Sequence, residues 1–271
     1  LWHACGAFKK FGMSTAELIF GDNRKSLEKY PNYGNLSYVT VSSPEVIWAY
    51  EEAMNLKDTK TQVVATGVSR TDVFYDQHFI EQSKAAVYSV CPAAENKKII
   101  LYAPTFRGRV AKAESPDCLD IPAMKRALGD EYVLLIKHHP FVNNRSHIRK
   151  KYKDYIIDLS ANSELNDLLF VTDVLITDYS SVVFEASLLD IPMLMYAYDL
   201  ERYISSRGFY YEYEDMAPGK IVRTYSDLVT AIEQQDFEDD KLQEFKKRFF
   251  DDLDGRSTVR AGELIVECTK K

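Results

Sequence analysis

A short polar segment follows an apolar run in the second half of the chain. Residues 177–185 read Thr-Asp-Tyr-Ser-Ser-Val-Val-Phe-Glu and come directly after the apolar run 174–176. This order predicts a strand that leads into a helix N-terminus, where unpaired backbone N–H groups and the helix dipole favour phosphate oxygens. Ser180 and Ser181 would add hydroxyl donors. A serine in this place also caps a helix without any ligand, so the segment alone leaves both interpretations open.

Other apolar runs also end in charged or polar side chains, and the cationic and hydroxyl groups among them can bind anions. These side chains are Arg70 and Asp72 after the run 63–66, Thr105 and Arg107 after the run 98–103, and Lys137, His138 and His139 after the run 132–136. A guanidinium group forms paired hydrogen bonds with phosphate or carboxylate, although arginines in surface turns are common. The two histidines have no third ligand at a spacing typical of zinc sites, so phosphate contact is the better functional interpretation.

The first residues of the chain carry a further candidate group. His3 is followed by Gly6, and Lys9 and Lys10 come soon after. Imidazole is a natural general base near neutral pH, and a glycine lets the backbone approach a ligand closely. Taken alone, a structural histidine is the commoner case.

Short apolar runs alternate with helical patterns along the chain and must position these groups. The runs are 36–41, 63–66, 98–103, 132–136, 155–159, 174–176 and 193–196. Continuous apolar strands alternating with helices predict an α/β fold with parallel strands covered on both faces. In such sheets ligands bind beyond the carboxyl ends of the strands, which is where the candidate side chains fall.

Polar residues near 89–98 interrupt the pattern and predict a boundary between two α/β units. We expect a first unit over residues 1–96, a second over 97–240, and C-terminal helices over 241–271 that pack across both. Ser43-Pro44-Glu45 has the residues of a helix start. The chain opens at Leu1, and residues 1–3 resemble the end of a strand, so we expect an N-terminally truncated fragment.

Composition narrows the function classes. The net charge of −7 argues against a nucleic-acid binder, although basic residues cluster at 145–153. Four separated cysteines indicate neither a zinc knuckle nor a disulfide framework, and fit a reducing, cytosolic compartment. No apolar run reaches the roughly 20 residues of a membrane-spanning helix. The motifs of P-loop NTPases, simple dinucleotide dehydrogenases and serine hydrolases are missing from the sequence.

Several ordered blocks extend from Leu1 to about Gly219. The blocks are Trp2-His3-x-x-Gly6 with Lys9-Lys10-x-Gly12, Gly67-x-x-Arg70-x-Asp72, residues 102–107, residues 177–181, Tyr198-Asp199-Leu200-Glu201-x-Tyr203, Arg207-Gly208-Phe209-Tyr210 and Ala217-Pro218-Gly219. Together they resemble the CDP-glycerol:poly(glycerophosphate) glycerophosphotransferase family of teichoic acid and capsule polyol-phosphate polymerases.

The resemblance implies a glycosyltransferase-B-like fold, with two Rossmann-like units facing a cleft. It implies that residues 1–96 belong to the acceptor-side unit and that residues 97–240 bind the CDP donor. His3 would be the base that activates the acceptor hydroxyl, and His139 would contact the donor pyrophosphate as a second catalytic group. The implied donor-binding residues are Thr105, Arg107, Lys137, His138, Asp178, Ser180, Ser181, Glu185 and Arg207. Those on the acceptor side are Gly6, Lys9, Lys10, Arg70 and Asp72.

The resemblance further implies the reaction. Glycerol phosphate would pass from CDP-glycerol to the terminal hydroxyl of a lipid-linked teichoic acid or capsule acceptor, with release of CMP and with no metal or other cofactor. Ala4-Cys5-Gly6-Ala7 stands where many glycerol enzymes read Gly-Thr-Pro after the histidine, and Glu185 stands where many relatives have Asp. CDP-ribitol is therefore an alternative donor, and a nucleotide-sugar glycosyltransferase of the same architecture is another alternative. The lipid-linked acceptor implies a peripheral protein at the cytoplasmic face of the membrane.

Overall fold

The computed structural model describes residues 4–16, 18–19, 21, 23–31, 33–116, 118–143 and 148–270. Its strands are β1 (Tyr38–Val41), β2 (Gln62–Ala65), β3 (Lys98–Tyr102), β4 (Tyr132–Ile136), β5 (Ile156–Asp158), β6 (Val174–Thr177), β7 (Met193–Tyr196) and β8 (Lys220–Val222). Its helices are α1 (Arg24–Lys29), α2 (Ile47–Met54), α3 (Gln77–Val90), α4 (Ile121–Leu128), α5 (Leu165–Leu169), α6 (Val182–Leu188), α7 (Leu200–Arg207), α8 (Tyr213–Met216), α9 (Tyr225–Gln234), α10 (Asp239–Phe249) and α11 (Ser257–Thr269).

The chain forms two compact units. The first contains Leu1–Asp76, Asp199–Met216 and Glu244–Lys271, and the second contains Gln77–Tyr198 and Ala217–Gln243. The first change of unit therefore lies about 20 residues before the expected boundary at 96/97, because α3 packs on α5 of the second unit. From Glu244 onward, the segment expected to pack across both units is assigned to the first.

The first unit is built around a pair of parallel strands. β1 and β2 pair from Tyr38 with Gln62 to Val41 with Ala65. Ser43 and Pro44 lead from β1 into a 3₁₀ turn over Pro44–Val46, which continues directly into α2. The predicted helix start is confirmed, although the Ser43 side chain makes no cap hydrogen bond. α2 buries Ala49, Tyr50, Ala53 and Met54 and ends at Asn55, which adopts a left-handed conformation.

The turn after β2 holds the last helix of the chain. The Asp72 carboxylate accepts hydrogen bonds from the backbone N–H groups of Ser257 (3.0 Å) and Thr258 (2.8 Å), at the start of α11. Arg260 Nε donates to the carbonyl oxygen of Thr66 at 2.8 Å. Gly67 directly follows Thr66 and has a φ of +79°. A Cβ atom on this residue would lie 2.2 Å from Ser257 Oγ. A glycine is needed for this close approach of helix and turn.

We expect Gly67→Ala to lower the free energy of unfolding by about 1–3 kcal/mol from backbone strain, with a further loss from the steric overlap. Chemical denaturation followed by circular dichroism measures the effect. Gly129→Ala is the control, because Gly129 also has positive φ (+64°) but its added Cβ would meet nothing within 4 Å. Equal losses in the two variants would contradict the steric role of Gly67.

The second unit contains a six-stranded parallel sheet in the order β5-β4-β3-β6-β7-β8. Numbered within the unit, this order is 3-2-1-4-5-6, that of a doubly wound sheet. The predicted α/β class and the seven predicted strands are confirmed, with shifts of one or two residues at their ends. β8 was missed, because Lys220-Ile221-Val222 is too short to stand out from its polar surroundings.

The order of the strands fixes where the second unit can bind a ligand. β3 lies next to β4 on one side and next to β6 on the other, and the chain winds away from it in both directions. The carboxyl ends of β3 and β6 therefore form the switch point, the crevice in which doubly wound proteins bind ligands. β3 and β6 are almost completely buried, so their exits are held rigidly.

Candidate functional site

Asp178 connects the two loops at the switch point, which follow β3 and β6. It directly follows β6 and is 2% exposed. Its Oδ1 atom accepts hydrogen bonds from the backbone N–H groups of Thr105 (2.8 Å) and Tyr179 (2.6 Å). Its Oδ2 atom lies 2.9 Å from Nη2 of Arg107 in an ion pair. One buried carboxylate therefore ties the loop after β3 to the loop after β6.

Arg107 is held in place by several groups at once. Its Nη1 donates to the carbonyl oxygen of Thr105 at 2.7 Å, and its guanidinium carbon lies 5.1 Å from the ring centre of Tyr179 and 5.6 Å from that of Tyr198. Cation–π contacts and the Asp178 ion pair fix the plane of the guanidinium group. The side chain is 20% exposed, so it retains a solvent-facing part. Arg107 is a rigid positive group at the crevice, and its charge is balanced by Asp178.

Thr105 carries a buried hydroxyl group at the same crevice. The residue is 6% exposed, and its Oγ1 atom has no hydrogen-bond partner among the described residues. Leaving a buried hydroxyl unsatisfied costs about 1–3 kcal/mol, so such groups call for an explanation. A phosphate oxygen of a ligand in the crevice would supply the missing acceptor. The predicted donor-binding role of Thr105 gains this support.

We expect Thr105→Val to weaken the binding of CDP about 10- to 100-fold, the loss typical of a hydrogen bond to a charged group. The free energy of unfolding of the ligand-free protein should stay the same or increase, because valine removes an unsatisfied buried group. Calorimetric titration and denaturation measure the two quantities.

Thr177→Val is the matched control. Thr177 is equally buried at the end of β6, but its hydroxyl donates to the carbonyl oxygen of Ala103 at 2.7 Å. This variant should lose about 1 kcal/mol of stability and much less affinity. Unchanged CDP binding in Thr105→Val would show that the Thr105 hydroxyl does not contact the nucleotide.

The residues after β4 are held by neighbouring loops. Lys137 Nζ donates to the carbonyl oxygens of Ser160 (3.0 Å) and Ser163 (2.5 Å). The backbone N–H of His138 donates to Ser160 Oγ at 2.8 Å, and its Nδ1 atom lies 2.9 Å from Ser115 Oγ. These contacts give Lys137 and His138 a structural task beside their predicted donor-binding role.

His139 stands in an aromatic cluster. Its ring centre lies 4.9 Å from that of Phe106 and 4.5 Å from that of Phe141. Its Nδ1 atom accepts a hydrogen bond from the backbone N–H of Phe141 at 3.2 Å. In the neutral imidazole this places the proton on Nε2, which can then donate to a phosphate oxygen. Sequence reasoning missed both phenylalanines, although each lies within two residues of a predicted site residue.

The two serines that follow Tyr179 differ in their surroundings. Ser180 Oγ accepts a hydrogen bond from the backbone N–H of Val182 at 3.3 Å, so it caps the start of α6. Ser181 is exposed and its side chain makes no cap hydrogen bond. Ser180 thus shows the capping contact that the sequence left open, and the phosphate-binding roles of Ser180 and Ser181 stay predictions. Glu185 is 3% exposed within α6.

Several predicted residues belong to the first unit. His3 lies outside the described residues. The backbone N–H of Lys10 donates to the carbonyl oxygen of Gly208 at 3.1 Å, and Lys9 pairs with Phe209, so the lysine block lies beside the block that begins at Arg207. Arg207, predicted to bind the donor, is the last residue of α7.

The loop that follows His3 is fixed from two sides. The Tyr50 hydroxyl lies 3.4 Å from the carbonyl oxygens of both Ala4 and Gly6. Burial raises the pKa of the Cys5 thiol to about 11, and Arg70 offsets part of this increase through its charge and a hydrogen bond. Arg70 thus contacts the loop itself. Asp72 accepts hydrogen bonds from the start of α11 as a helix cap does, and its predicted place on the acceptor side stays a prediction.

Among the residues that the structure describes, no group of three or more histidine, cysteine, aspartate or glutamate side chains could hold a metal ion. The same part of the chain contains no helix that is both long enough and apolar enough to span a membrane.

The fold and the site define a doubly wound α/β protein with hydroxyl and cationic groups gathered at its switch point. Residues 1–267 match the family model described as CDP-Glycerol:Poly(glycerophosphate) glycerophosphotransferase. The chain belongs to this family, and the predicted resemblance is confirmed.

Curated relatives include both ribitol and glycerol enzymes. A teichoic acid poly(ribitol-phosphate) polymerase of Bacillus spizizenii (strain ATCC 23059 / NRRL B-14472 / W23) is 42% identical, over 98% of this chain and 42% of its own length. A teichoic acid glycerol-phosphate primase of Bacillus subtilis (strain 168) is 35% identical, over 95% of this chain and 65% of its own length. The chain spans about half the length of the first curated relatives it matches, with shares of 42%, 46% and 50%.

A solved structure of the wall teichoic acid polymerase TagF matches with a TM-score of 0.81 and 24% identity, over 99% of this chain and 67% of that chain. At this level of identity the likeness concerns the fold. It confirms the predicted α/β fold of glycosyltransferase-B-like type.

Proposed function

We propose that this protein transfers a polyol phosphate from a CDP-polyol to a hydroxyl group of a teichoic acid acceptor and releases CMP. The observation that carries the proposal is the Thr105 hydroxyl at the switch point, which has no hydrogen-bond partner among the residues that the structure describes and would contact a phosphate in a chain of this family. Arg107, fixed by Asp178, supplies positive charge at the same crevice.

The proposed reaction forms one P–O bond and breaks another. The acceptor hydroxyl oxygen attacks the phosphorus that bears the polyol, and the bond from that phosphorus to the oxygen bridging to the cytidine phosphate breaks. The bridging oxygen leaves with CMP, and the proton of the acceptor hydroxyl passes to His3. His139 Nε2–H, Thr105 and Arg107 stabilise the charge that develops on the phosphates.

We propose ribitol as the polyol, with glycerol as the alternative. The relatives support ribitol through the higher identity of the ribitol-phosphate polymerase, 42% against 35% for the glycerol-phosphate primase. Cys5 adds a feature of this chain, because its buried thiol lies two residues after the proposed base, in the block where many glycerol enzymes carry a different sequence.

The decisive experiment measures CMP release from CDP-ribitol, CDP-glycerol and UDP-N-acetylglucosamine with a polyol-phosphate-primed lipid acceptor. We expect turnover with CDP-ribitol and a lower rate with CDP-glycerol. A preference for CDP-glycerol would show that the polyol is glycerol and would leave the proposed reaction unchanged. Turnover of the UDP-sugar alone would replace the proposal with a nucleotide-sugar glycosyltransferase.

We further propose that the protein works at the cytoplasmic face of the membrane, where a lipid-linked acceptor would be anchored. The turn at Lys150–Tyr152 and its neighbours carry exposed cationic side chains, namely Arg149, Lys150, Lys151 and Lys153. Each basic residue near an anionic surface contributes about 1 kcal/mol. In a flotation assay, we expect the protein to bind vesicles that contain phosphatidylglycerol. Replacement of all four basic residues by glutamine should strongly reduce the fraction of protein that is bound. Equal binding to neutral vesicles would contradict this role.

A further inference from the structure

A cavity of about 360 Å³ lies in the second unit, on the same edge of the sheet as the switch point. Its lining includes the last residue of each of three adjacent strands, namely Tyr102, Ile136 and Asp158. Arg107 and Glu114 pair through two backbone hydrogen bonds, and the next residue, Ser115, lines the cavity. The volume falls in the range of roughly 300–1,000 Å³ found for small-molecule sites. The cavity thus adjoins the groups proposed to bind the phosphates.

The walls of the cavity are mainly apolar. The apolar lining residues are Pro116, Leu119, Ile121, Pro122, Ile136, Ile148 and Ile156. Cys118 also lines it, and burial raises the pKa of this thiol to about 11, so the sulfur is uncharged at neutral pH. Uncharged, apolar walls suit the faces of an aromatic ring better than they suit a phosphate or a polyol.

Residues with polar groups complete the lining, namely Tyr102, Ser115, Asp120, His138, Arg149, Tyr152 and Asp158. Asp158 contributes a carboxylate whose Oδ1 atom accepts a hydrogen bond from the backbone N–H of Ser160 at 2.8 Å, which fixes its orientation. Arg149 contributes a hydrogen-bond donor. Cytosine presents an amino group at N4 beside acceptor atoms, and carboxylates accept hydrogen bonds from that amino group. Uracil presents a carbonyl oxygen in the same place and would meet the carboxylate with an acceptor.

We propose that this cavity binds the pyrimidine base of the donor nucleotide, and that Asp158 selects cytosine over uracil by accepting a hydrogen bond from its N4 amino group. This inference rests on the proposed function, which supplies the cytidine donor. The base lies over β3, β4 and β5, and the phosphates extend from it to Thr105 and His139.

The test is calorimetric titration of the protein with CMP, UMP and inorganic pyrophosphate. We expect CMP to bind about 5- to 100-fold more tightly than UMP. Asp158→Asn should bring the ratio close to one, chiefly by weakening CMP, while keeping the Oδ1 acceptor for Ser160. Asp154→Asn is the matched control, because Asp154 is exposed, precedes β5 and does not line the cavity. It should leave the ratio unchanged.

A second variant tests the cavity independently of Asp158. Leu119→Trp fills the space and should weaken both CMP and UMP at least tenfold, while pyrophosphate binding stays unchanged. Equal affinities of the unmodified protein for CMP and UMP, or unchanged CMP binding in Leu119→Trp, would overturn the inference. Discrimination between CMP and UMP without turnover of any CDP-polyol would leave the base site standing and reject the proposed reaction. Turnover of a CDP-polyol with unchanged CMP binding in Leu119→Trp would reject the base site alone.

Discussion

Asp178→Ala should lower the free energy of unfolding by about 3–5 kcal/mol and abolish CMP release. The substitution removes one partner of a buried ion pair and leaves the Arg107 guanidinium without its counter-charge, which is among the most destabilising changes to a folded protein. It also deprives the backbone N–H groups of Thr105 and Tyr179 of their acceptor. Urea denaturation and an assay of CMP release measure the two effects.

Two further variants separate the loss of the ion pair from the loss of the hydrogen bonds. Asp178→Asn retains an oxygen for the two N–H groups and removes the charge, so it should cost less than the alanine variant. Asp173→Ala is the control, because this exposed aspartate accepts one backbone hydrogen bond, from Ile99 at 2.7 Å, just before β6 begins. It should cost about 1 kcal/mol and leave activity intact. A loss below about 1 kcal/mol in Asp178→Ala would show that the switch point does not depend on the ion pair.

His3→Ala should reduce the rate of transfer about 10²- to 10⁴-fold while the affinity for CDP stays nearly constant. The affinity should survive because Thr105, Arg107 and His139, the residues proposed to bind the donor phosphates, lie in the second unit, where Asp178 holds the first two. The loop after His3 should also keep its place, since Tyr50 and Arg70 contact it through Ala4, Cys5 and Gly6. Single-turnover kinetics and calorimetric titration separate rate from binding.

The control for His3 is His78→Ala. His78 is exposed on α3, within hydrogen-bond distance of Gln82 at 3.0 Å, and has no proposed role. Its replacement should leave both rate and affinity unchanged. If His3→Ala lost affinity for CDP in proportion to its loss of rate, His3 would be a donor-binding residue and the assignment of the base would be wrong.

The sequence predicted the sheet of the second unit well, because its strands are short, continuous apolar runs that end in chemically distinctive residues. The family resemblance implied that Thr105, Arg107 and Asp178 bind the donor together, and the structure brings them to one edge of the sheet, where parallel strands have their exits. The sequence could not show that Asp178 accepts hydrogen bonds across 73 residues, that Phe106 and Phe141 flank His139, or that Asp72 caps α11. These contacts join segments far apart in the chain, and no local pattern records them.

Local sequence patterns also could not show to which unit α3 belongs. Residues 77–90 form an amphipathic helix whichever unit they join, so periodicity alone cannot assign them. The Ser83 hydroxyl donates to Asp167 Oδ1 at 2.8 Å, and Phe79 packs against Phe170, which ties α3 to the second unit. Composition predicted the boundary between the two units in the polar stretch after this helix. The tertiary contacts place the boundary before the helix, between Asp76 and Gln77.

The division of the first unit among three separate stretches has a consequence for how the protein is made. Ribosomes release the chain from its N-terminus, and domains tend to fold as they emerge. Residues 1–76 emerge before the second unit, yet the partners of the Asp72 carboxylate, Ser257 and Thr258, lie about 185 residues further along the chain. Of these two units, the one that begins earlier in the sequence is therefore completed later. Until then the turn after β2 lacks the backbone N–H groups that pair with Asp72.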